Sequence, residues 1–222
     1  MTQFNWSEPP SQTAFPVAKA GYPFIFASAF ATAVFALLGV GFLAVLGLFT
    51  TGFICYFFRD PDRLIPTGEG IVVSPADGKV IKVEPVDQTP YFEGACIRIS
   101  VFMSVFNVHV NRVPHEGTIR KVTYHPGKFF SANLDKASTD NEHNALLLES
   151  PAGKQVGFVQ IAGLVARRII CVVKPGDVLK RGHRFGMICF GSRLDIYLPP
   201  ETDVRVAVGD KVQAGSSILG KW

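Results

Sequence analysis

The sequence predicts a mainly β domain, sandwich- or barrel-like, carried behind an N-terminal hydrophobic helical segment suited to a membrane. Three observations predict it. Residues 20–58 contain no Asp, Glu, Lys, Arg or His. From residue 71 onward, short Val- and Ile-rich runs alternate with Gly, Pro and Asp, the texture of strands and turns. No strongly amphipathic helix follows residue 63. A length of 222 residues suits one soluble domain plus an appendage.

Residues 1–19 are polar, contain Pro9, Pro10 and Pro16, and read as a loose tail. The hydrophobic segment 20–58 exceeds the roughly 20 residues that one spanning helix needs. Two short helices over 24–38 and 42–58, with Gly39-Val40-Gly41 turning between them, would fill it as a hairpin. A single tilted helix with a buried continuation is the alternative. A signal peptide is disfavoured, because its apolar region runs to only roughly 7–15 residues. Lys19 on one flank and Arg59 and Arg63 on the other suit a cytoplasmic placement of both ends, at the cell (inner) membrane. Pro61, within Arg59-Asp60-Pro61-Asp62-Arg63, stops the helix.

Residues 59–222 form the predicted β domain. Candidate strands lie at 71–73, 80–83, 96–101, 118–124, 145–148, 156–161, 169–173 and 194–198. Two segments, 174–182 and 208–215, share a Gly-Asp turn followed by a valine and a later glycine: Gly176-Asp177-Val178 with Gly182, and Gly209-Asp210-Lys211-Val212 with Gly215. Such turns occur in lipoyl- and biotinyl-type sandwich domains. The simpler reading is tight turns of a compact β domain, since no lysine sits in the exposed hairpin context that cofactor attachment needs.

The net charge of +4 suits an anionic membrane surface. No basic stripe with interleaved aromatics marks a nucleic-acid binder. Cys55, Cys96, Cys171 and Cys189 form no CxxC pair and read as reduced thiols. The histidines show no metal-ligand spacing, so no metal is expected.

Three places could carry chemistry. Asp77, in Ser74-Pro75-Ala76-Asp77-Gly78, sits at a strand-turn-strand corner, where Asp most often caps backbone but could orient a histidine. His109, in Asn107-Val108-His109-Val110-Asn111, lies in a strand-like run; it is the side chain best able to exchange protons near neutral pH. Gly191-Ser192 is an ordinary turn dipeptide in most proteins, but here it falls inside a β-rich segment. A serine can attack the carbonyl before it, and glycine eases the approach. Ser192, His109 and Asp77 would then be nucleophile, base and orienting acid. No G-x-S-x-G elbow accompanies them.

These residues lie within stretches that together resemble phosphatidylserine decarboxylase proenzymes of the short bacterial and archaeal kind. The stretches are Ser74-Pro75-Ala76-Asp77-Gly78, the run 107–114, Pro126-Gly127-Lys128-Phe129, Leu134-Asp135-Lys136-Ala137-Ser138, Asp140-Asn141-Glu142 with Asn144, Gln160-Ile161-Ala162-Gly163 through Arg167-Arg168, and Phe190-Gly191-Ser192-Arg193-Leu194-Asp195. Longer members of the family carry a second histidine three residues after the first, where this chain has Arg112.

The resemblance implies self-cleavage between Gly191 and Ser192, giving a large chain 1–191 and a small chain 192–222 that stay together as a heterodimer, with a dimer of these heterodimers as the family-based expectation. His109, oriented by Asp77, would take the serine proton. Ser192 would become a pyruvoyl group, the only cofactor implied: no metal and no pyridoxal phosphate. Its ketone would condense with the amine of phosphatidylserine, draw electrons as carbon dioxide leaves, and yield phosphatidylethanolamine, with His109 as proton donor. Arg167, Arg168 and Arg193 could face phosphate or carboxylate. Phe102, Met103, Phe106, Phe129 and Phe130 could dock loops into the bilayer interface or serve as core. Two other readings remain: a membrane-tethered, non-catalytic lipoyl-like β module, and a triad serine hydrolase.

Overall fold

The structure, a computed structural model, describes residues 4–5 (backbone course only), 16–130, 140–163, 168–189 and 191–222. The chain divides into two compact units, one covering Ser11–Asp62 and the other Arg63–Trp222 with the first ten residues.

The first unit is a helical hairpin. A short 3-10 turn, Lys19–Gly21, leads into α1 (Tyr22–Leu37); residues 38–40 reverse the chain, and α2 (Gly41–Phe57) returns. Together, Lys19–Leu37 are long and apolar enough to cross a membrane; α2 is apolar but shorter. The hydroxyls in the hairpin turn inward. Ser28 Oγ meets Thr51 Oγ1 at 2.8 Å, and Thr32 and Thr51 also donate to the carbonyls of Ser28 and Gly47 in their own helices. A Cβ on Gly47 would lie 2.5 Å from Thr32 Oγ1, so the backbones approach closely where the side chain is missing. Small residues and hydroxyls lie between the helices, as in many helix pairs that pack in membranes, and Phe26, Phe30, Phe42 and Phe49 are each more than 70% exposed on the outside.

The second unit is built of strands: β1 (Phe4–Asn5), β2 (Ile65–Pro66), β3 (Ile71–Val73), β4 (Gly78–Val86), β5 (Cys96–Met103), β6 (Val110–Arg112), β7 (Gly117–His125), β8 (His143–Glu149), β9 (Gln155–Ala162), β10 (Ile169–Cys171), β11 (Val178–Leu179), β12 (Arg184–Ile188), β13 (Ser192–Leu198), β14 (Asp203–Val204), β15 (Lys211–Val212) and β16 (Ile218–Lys221). The largest sheet runs β11-β7-β8-β9-β13-β5-β4-β15, with neighbours antiparallel. A second sheet, β10-β12-β6, covers one of its faces; a third, β14-β16-β3, and the pair β1-β2 complete the unit. The fold is therefore mainly β and sandwich-like, with the two long helices among the described residues paired in the N-terminal hairpin.

Strand alternation sorts the large sheet into two faces. Leu194, Ile196, Phe158, Val101 and Leu146 point to the side of the second sheet and form the main core, where Phe158 meets Phe185 of β12 edge-on at 4.9 Å. Val159, Ile161, Ala145 and Tyr197 point the other way, into a smaller cluster closed by Tyr91 and Phe92.

The two similar turns have a plain structural use. Asp177 accepts from the Lys174 amide at 2.9 Å and Asp210 from the Ala207 amide at 2.8 Å. Each turn delivers a two-residue strand, β11 or β15, to one edge of the large sheet. Very short edge strands limit pairing with other chains, and this accounts for the repeat without a carrier role.

Candidate active site

Three chain crossings converge at one end of the large sheet. The chain leaves β5 at Met103 and enters β6 at Val110. It leaves β9 at Ala162 and enters β10 at Ile169. It returns from β12 at Ile188 to β13 at Ser192. Ser192 stands in register with Met103 on one side and Ala162 on the other, so both neighbouring strands end beside it. The Gly191–Ser192 peptide bond thus lies where the chain passes from the second sheet into the middle of the first.

Gly191 has φ +67°, a left-handed conformation that costs other residues energy, and a Cβ there would meet nothing within 4 Å. Its glycine requirement is conformational rather than steric. The Ser192 hydroxyl is buried and has no hydrogen-bond partner among the described residues. A buried hydroxyl is normally paired, so this one is uncommitted.

His109 is fully buried at the same end. Its carbonyl accepts from Ile188 N–H at 3.4 Å, tying it to the strand that leads to Gly191. Its Nδ1 lies 2.9 Å from the Asn107 carbonyl. A carbonyl only accepts, so Nδ1 carries the proton and Nε2 is the basic nitrogen. Asn107 is itself fixed, because its Oδ1 accepts from the Ser104 amide at 2.9 Å and from the Ser104 hydroxyl at 2.7 Å. With the Ser192 hydroxyl unpaired, serine and histidine share the site without a direct hydrogen bond in this state. Such contacts often tighten only on the reaction path.

Asp77 departs from the expected role. Its Oδ2 accepts from Arg63 Nη2 at 2.8 Å and its Oδ1 from the Ala214 amide at 2.7 Å. Both oxygens are thereby committed, and the group holding His109 by Nδ1 is the Asn107 carbonyl. The Asp77 carboxylate ties the turn before β4 to the segment before β16.

The arginines separate. Arg167 lies outside the described residues. Arg168 is exposed, and its carbonyl accepts from Cys189 N–H at 3.1 Å, so it stands at the rim of the crossing region. Arg193 corrects the expectation of a headgroup ligand. As the residue after Ser192 on a strand it faces the opposite side, is 1% exposed, and binds Asp195, with Nε 2.8 Å from Oδ1 and Nη2 donating to Oδ2 at 3.0 Å. Of the aromatic candidates and Met103, Met103 is core beside Ser192, Phe129 packs against the core, and Phe106 is 64% exposed. Burial pushes the Cys189 thiol pKa up against the opposing effect of Arg168, so this sulfur remains a protonated, weak nucleophile near the crossing.

Sequence reasoning quoted three further residues without giving them work. Asn144 Nδ2 donates to Gln160 Oε1 at 3.2 Å, and Gln160 Nε2 donates to Asn111 Oδ1 at 2.9 Å. All three are buried on the Ser192 side of the large sheet or facing it. The available signal was an amide at an inward position of an apolar strand, clearest at Gln160 within Phe158-Val159-Gln160-Ile161. Asn141 is a fourth: its Nδ2 donates to the Phe130 and Ala162 carbonyls at 2.8 and 2.7 Å, pinning the residue opposite Ser192.

Residues 50–220 match the phosphatidylserine decarboxylase family. The chain is 53% identical over 208 residues to a phosphatidylserine decarboxylase proenzyme of Syntrophus aciditrophicus, a match covering 93% of this chain and 97% of that protein. It is 54% identical over 202 residues to the protein of the same name from Nitratidesulfovibrio vulgaris, covering 90% and 92% of the two chains. A third, from Nitrosomonas eutropha, is 49% identical over 207 residues, covering 93% and 95%. The chain belongs to the phosphatidylserine decarboxylase family.

Proposed function

We propose that this family member is a precursor that cleaves itself between Gly191 and Ser192 and then decarboxylates phosphatidylserine to phosphatidylethanolamine. The observation that carries the reading is an uncommitted, buried Ser192 hydroxyl directly after a left-handed glycine, at a crossing that also holds His109.

In the first step His109 Nε2 takes the Ser192 hydroxyl proton and the oxygen attacks the Gly191 carbonyl carbon. The peptide C–N bond breaks as a C–O ester bond forms, and the nitrogen of residue 192 takes up a proton. Loss of the residue 192 α-proton then breaks the Cβ–O bond and releases the Gly191 carboxylate. Water adds to the resulting dehydroalanine, by way of its imine, and ammonia leaves. The site fits the pyruvoyl group this produces: residue 192 is buried between two strands and its side-chain oxygen, which the sequence removes, holds nothing in place. That group supplies a ketone able to bind an amine and to accept electrons from the bond to the departing carboxylate. His109 would return a proton to the substrate carbon, and Arg168 at the rim would meet the headgroup's anionic groups. The fold supports retention of the small chain, because β13 is paired along both edges, with β5 and β9, and β15 and β16 pair with β4 and β3.

The substrate is a lipid, and the apolar hairpin supports a membrane location. Lys19, Arg59 and Arg63 favour the cytoplasmic side of the cell membrane for the flanks of that hairpin.

Intact-mass measurement of the full chain extracted from membranes tests the reading, beside Ser192→Ala. We expect two fragments in the wild type, the smaller bearing a ketone on residue 192 and reactive toward hydrazides. The variant should remain one chain and lose decarboxylation of phosphatidylserine in mixed micelles by more than about 10³-fold. An uncleaved wild type that still releases carbon dioxide would remove the pyruvoyl route.

A further inference from the structure

The amide chain beneath Ser192 has a direction, and the backbone sets it. Gln160 Nε2 lies 3.3 Å from the Ile170 carbonyl, which can only accept, so the Gln160 NH₂ group faces that carbonyl and Asn111. Asn111 must then present its oxygen to Gln160, and its own NH₂ points the other way. What that NH₂ meets is the Met103 sulfur at 3.8 Å, its acceptor among the described residues. A thioether is a weak acceptor, yet Asn111 is fully buried. Met103 is the cross-strand partner of Ser192, so the two side chains point to the same face. Asn111 also lies two residues beyond His109 in the chain.

The arrangement is built for reach. A Cβ on Gly186 would stand 2.2 Å from the Ile170 carbonyl oxygen and 3.0 Å from Gln160 Nε2, so glycine at 186 is what lets Gln160 pass between the sheets to Asn111. Three buried amides and a required glycine thus hold one donor over the Ser192 face without giving it a good acceptor.

We infer that Asn111 is an oxyanion donor for self-cleavage. The inference rests on the self-cleavage reading above. As the Ser192 oxygen adds to the Gly191 carbonyl carbon, the carbonyl π pair moves onto oxygen, and the Asn111 N–H replaces its contact with the Met103 sulfur by one with that anion. The donor is neutral, pre-oriented and buried, the conditions under which a fixed dipole acts most strongly. When the tetrahedral species collapses with loss of the residue 192 nitrogen, the ester carbonyl is restored and the donor relaxes.

The test follows cleavage of newly synthesised full-length chain in membranes, with wild type, Ser192→Ala, Asn111→Ala and Asn111→Asp side by side. Asn111→Asp keeps the oxygen that Gln160 uses but has a donor only when protonated. We expect both Asn111 variants to cleave about 10²–10³-fold more slowly than wild type at pH 8. Relative to wild type at the same pH, Asn111→Asp should recover as pH falls, and Asn111→Ala should not. Hydroxylamine, which splits an accumulated ester to a Gly191 hydroxamate, should restore neither, because the slow step precedes the ester. Cleavage of Asn111→Ala within about threefold of wild type would overturn the inference. So would fragments released by hydroxylamine, or a ratio flat with pH for both variants. An uncleaved wild type would instead defeat the self-cleavage reading itself.

Discussion

Ser192 and Arg193 are neighbours on one strand, and the two faces they occupy are chemically opposite. On the Ser192 face, the described residues nearest in register are Met103, Ala162, Val101 and Gln160, none of them charged. On the Arg193 face lie Asp195, Arg98, Glu84, Tyr197 and His143, with Tyr91 folded over them. Here Arg98 donates to Glu84, and burial, with the negative charge of Asp195 beside it, pushes the Tyr197 hydroxyl pKa far up. The large sheet therefore segregates its fixed charges from its nucleophile. A neutral, dry face leaves a developing oxyanion to the few donors aimed at it, since charge interactions are stronger and less screened there. The charged face supplies rigidity directly behind the residue that must react.

The sharpest way to break this comparison is to exchange the faces' contributions. Arg193→Leu removes one member of a pair whose side chains are 1% and 0% exposed and takes from the buried Asp195 carboxylate the guanidinium bound to it. We expect a loss of about 3–5 kcal/mol. In a chain of this length that lowers the unfolding midpoint by roughly 10 °C. Cleavage at temperatures where the variant stays folded should change by less than about tenfold. Ser192→Ala should do the reverse, abolishing cleavage at nearly unchanged midpoint. Replacing Asp195 by leucine together with Arg193 should recover much of the lost stability, because a buried pair is worth little against apolar groups of similar size. Differential scanning calorimetry of the detergent-solubilised chain reads all of these, and equal midpoints for the single and double variants would contradict the segregation argument.

How much of this was legible in the sequence differs by element. The hairpin was, because a run without ionisable residues is a matter of composition, and its turn falls within a residue or two of Gly39-Val40-Gly41. The strands were legible as Val- and Ile-rich runs, but their neighbours were not: β13 lies between β5 and β9, contacts that join residues far apart in sequence. Asp77 shows the limit most clearly. A turn aspartate was correctly placed, yet its partners are Arg63 and, 137 residues away, the Ala214 amide, and nothing local to Asp77 names the second. Arg193 was different, since strand alternation alone turns it away from Ser192. The resemblance drew attention to its charge and the pleat should have tempered it.

A second, smaller effect sharpens the comparison through pH. His143, on the charged face, holds Nδ1 at 2.7 Å from the Asn141 carbonyl and Nε2 at 2.8 Å from the Tyr91 hydroxyl. The neutral ring satisfies both, and burial, with His125 stacked beside it, lowers its pKa. Burial also lowers that of His115, packed against Trp222. A folded pKa below the unfolded value of about 6.5 means the unfolded chain binds protons first. Stability is fully present above about pH 6.5 and is lost as pH falls from there through the folded values, by at most about 1.4 kcal/mol per pH unit for each histidine. His143→Gln should flatten that slope in unfolding midpoints measured from pH 7.5 to 5. An unchanged slope would place the acid sensitivity elsewhere.

The smallest effect falls at the seam between the faces. Gly191→Ala meets no steric obstacle, because a Cβ there would lie in open space, and the whole cost comes from φ +67°. A left-handed conformation costs an ordinary residue about 1–2 kcal/mol. If the precursor holds this conformation until the serine has attacked, the folded precursor bears that cost and the tetrahedral species, in which the Gly191 carbonyl carbon is no longer planar, is freer to relax it. Gly191→Ala should then lower the precursor's midpoint by only a few degrees while cleavage is unchanged or speeds by less than about tenfold, measured in a Ser192→Ala background for stability and in the Ser192 chain for rate. A rate loss far beyond the stability loss would mean that the missing side chain matters for the approach of Ser192 itself. The glycine would then belong to the reacting face rather than to the turn.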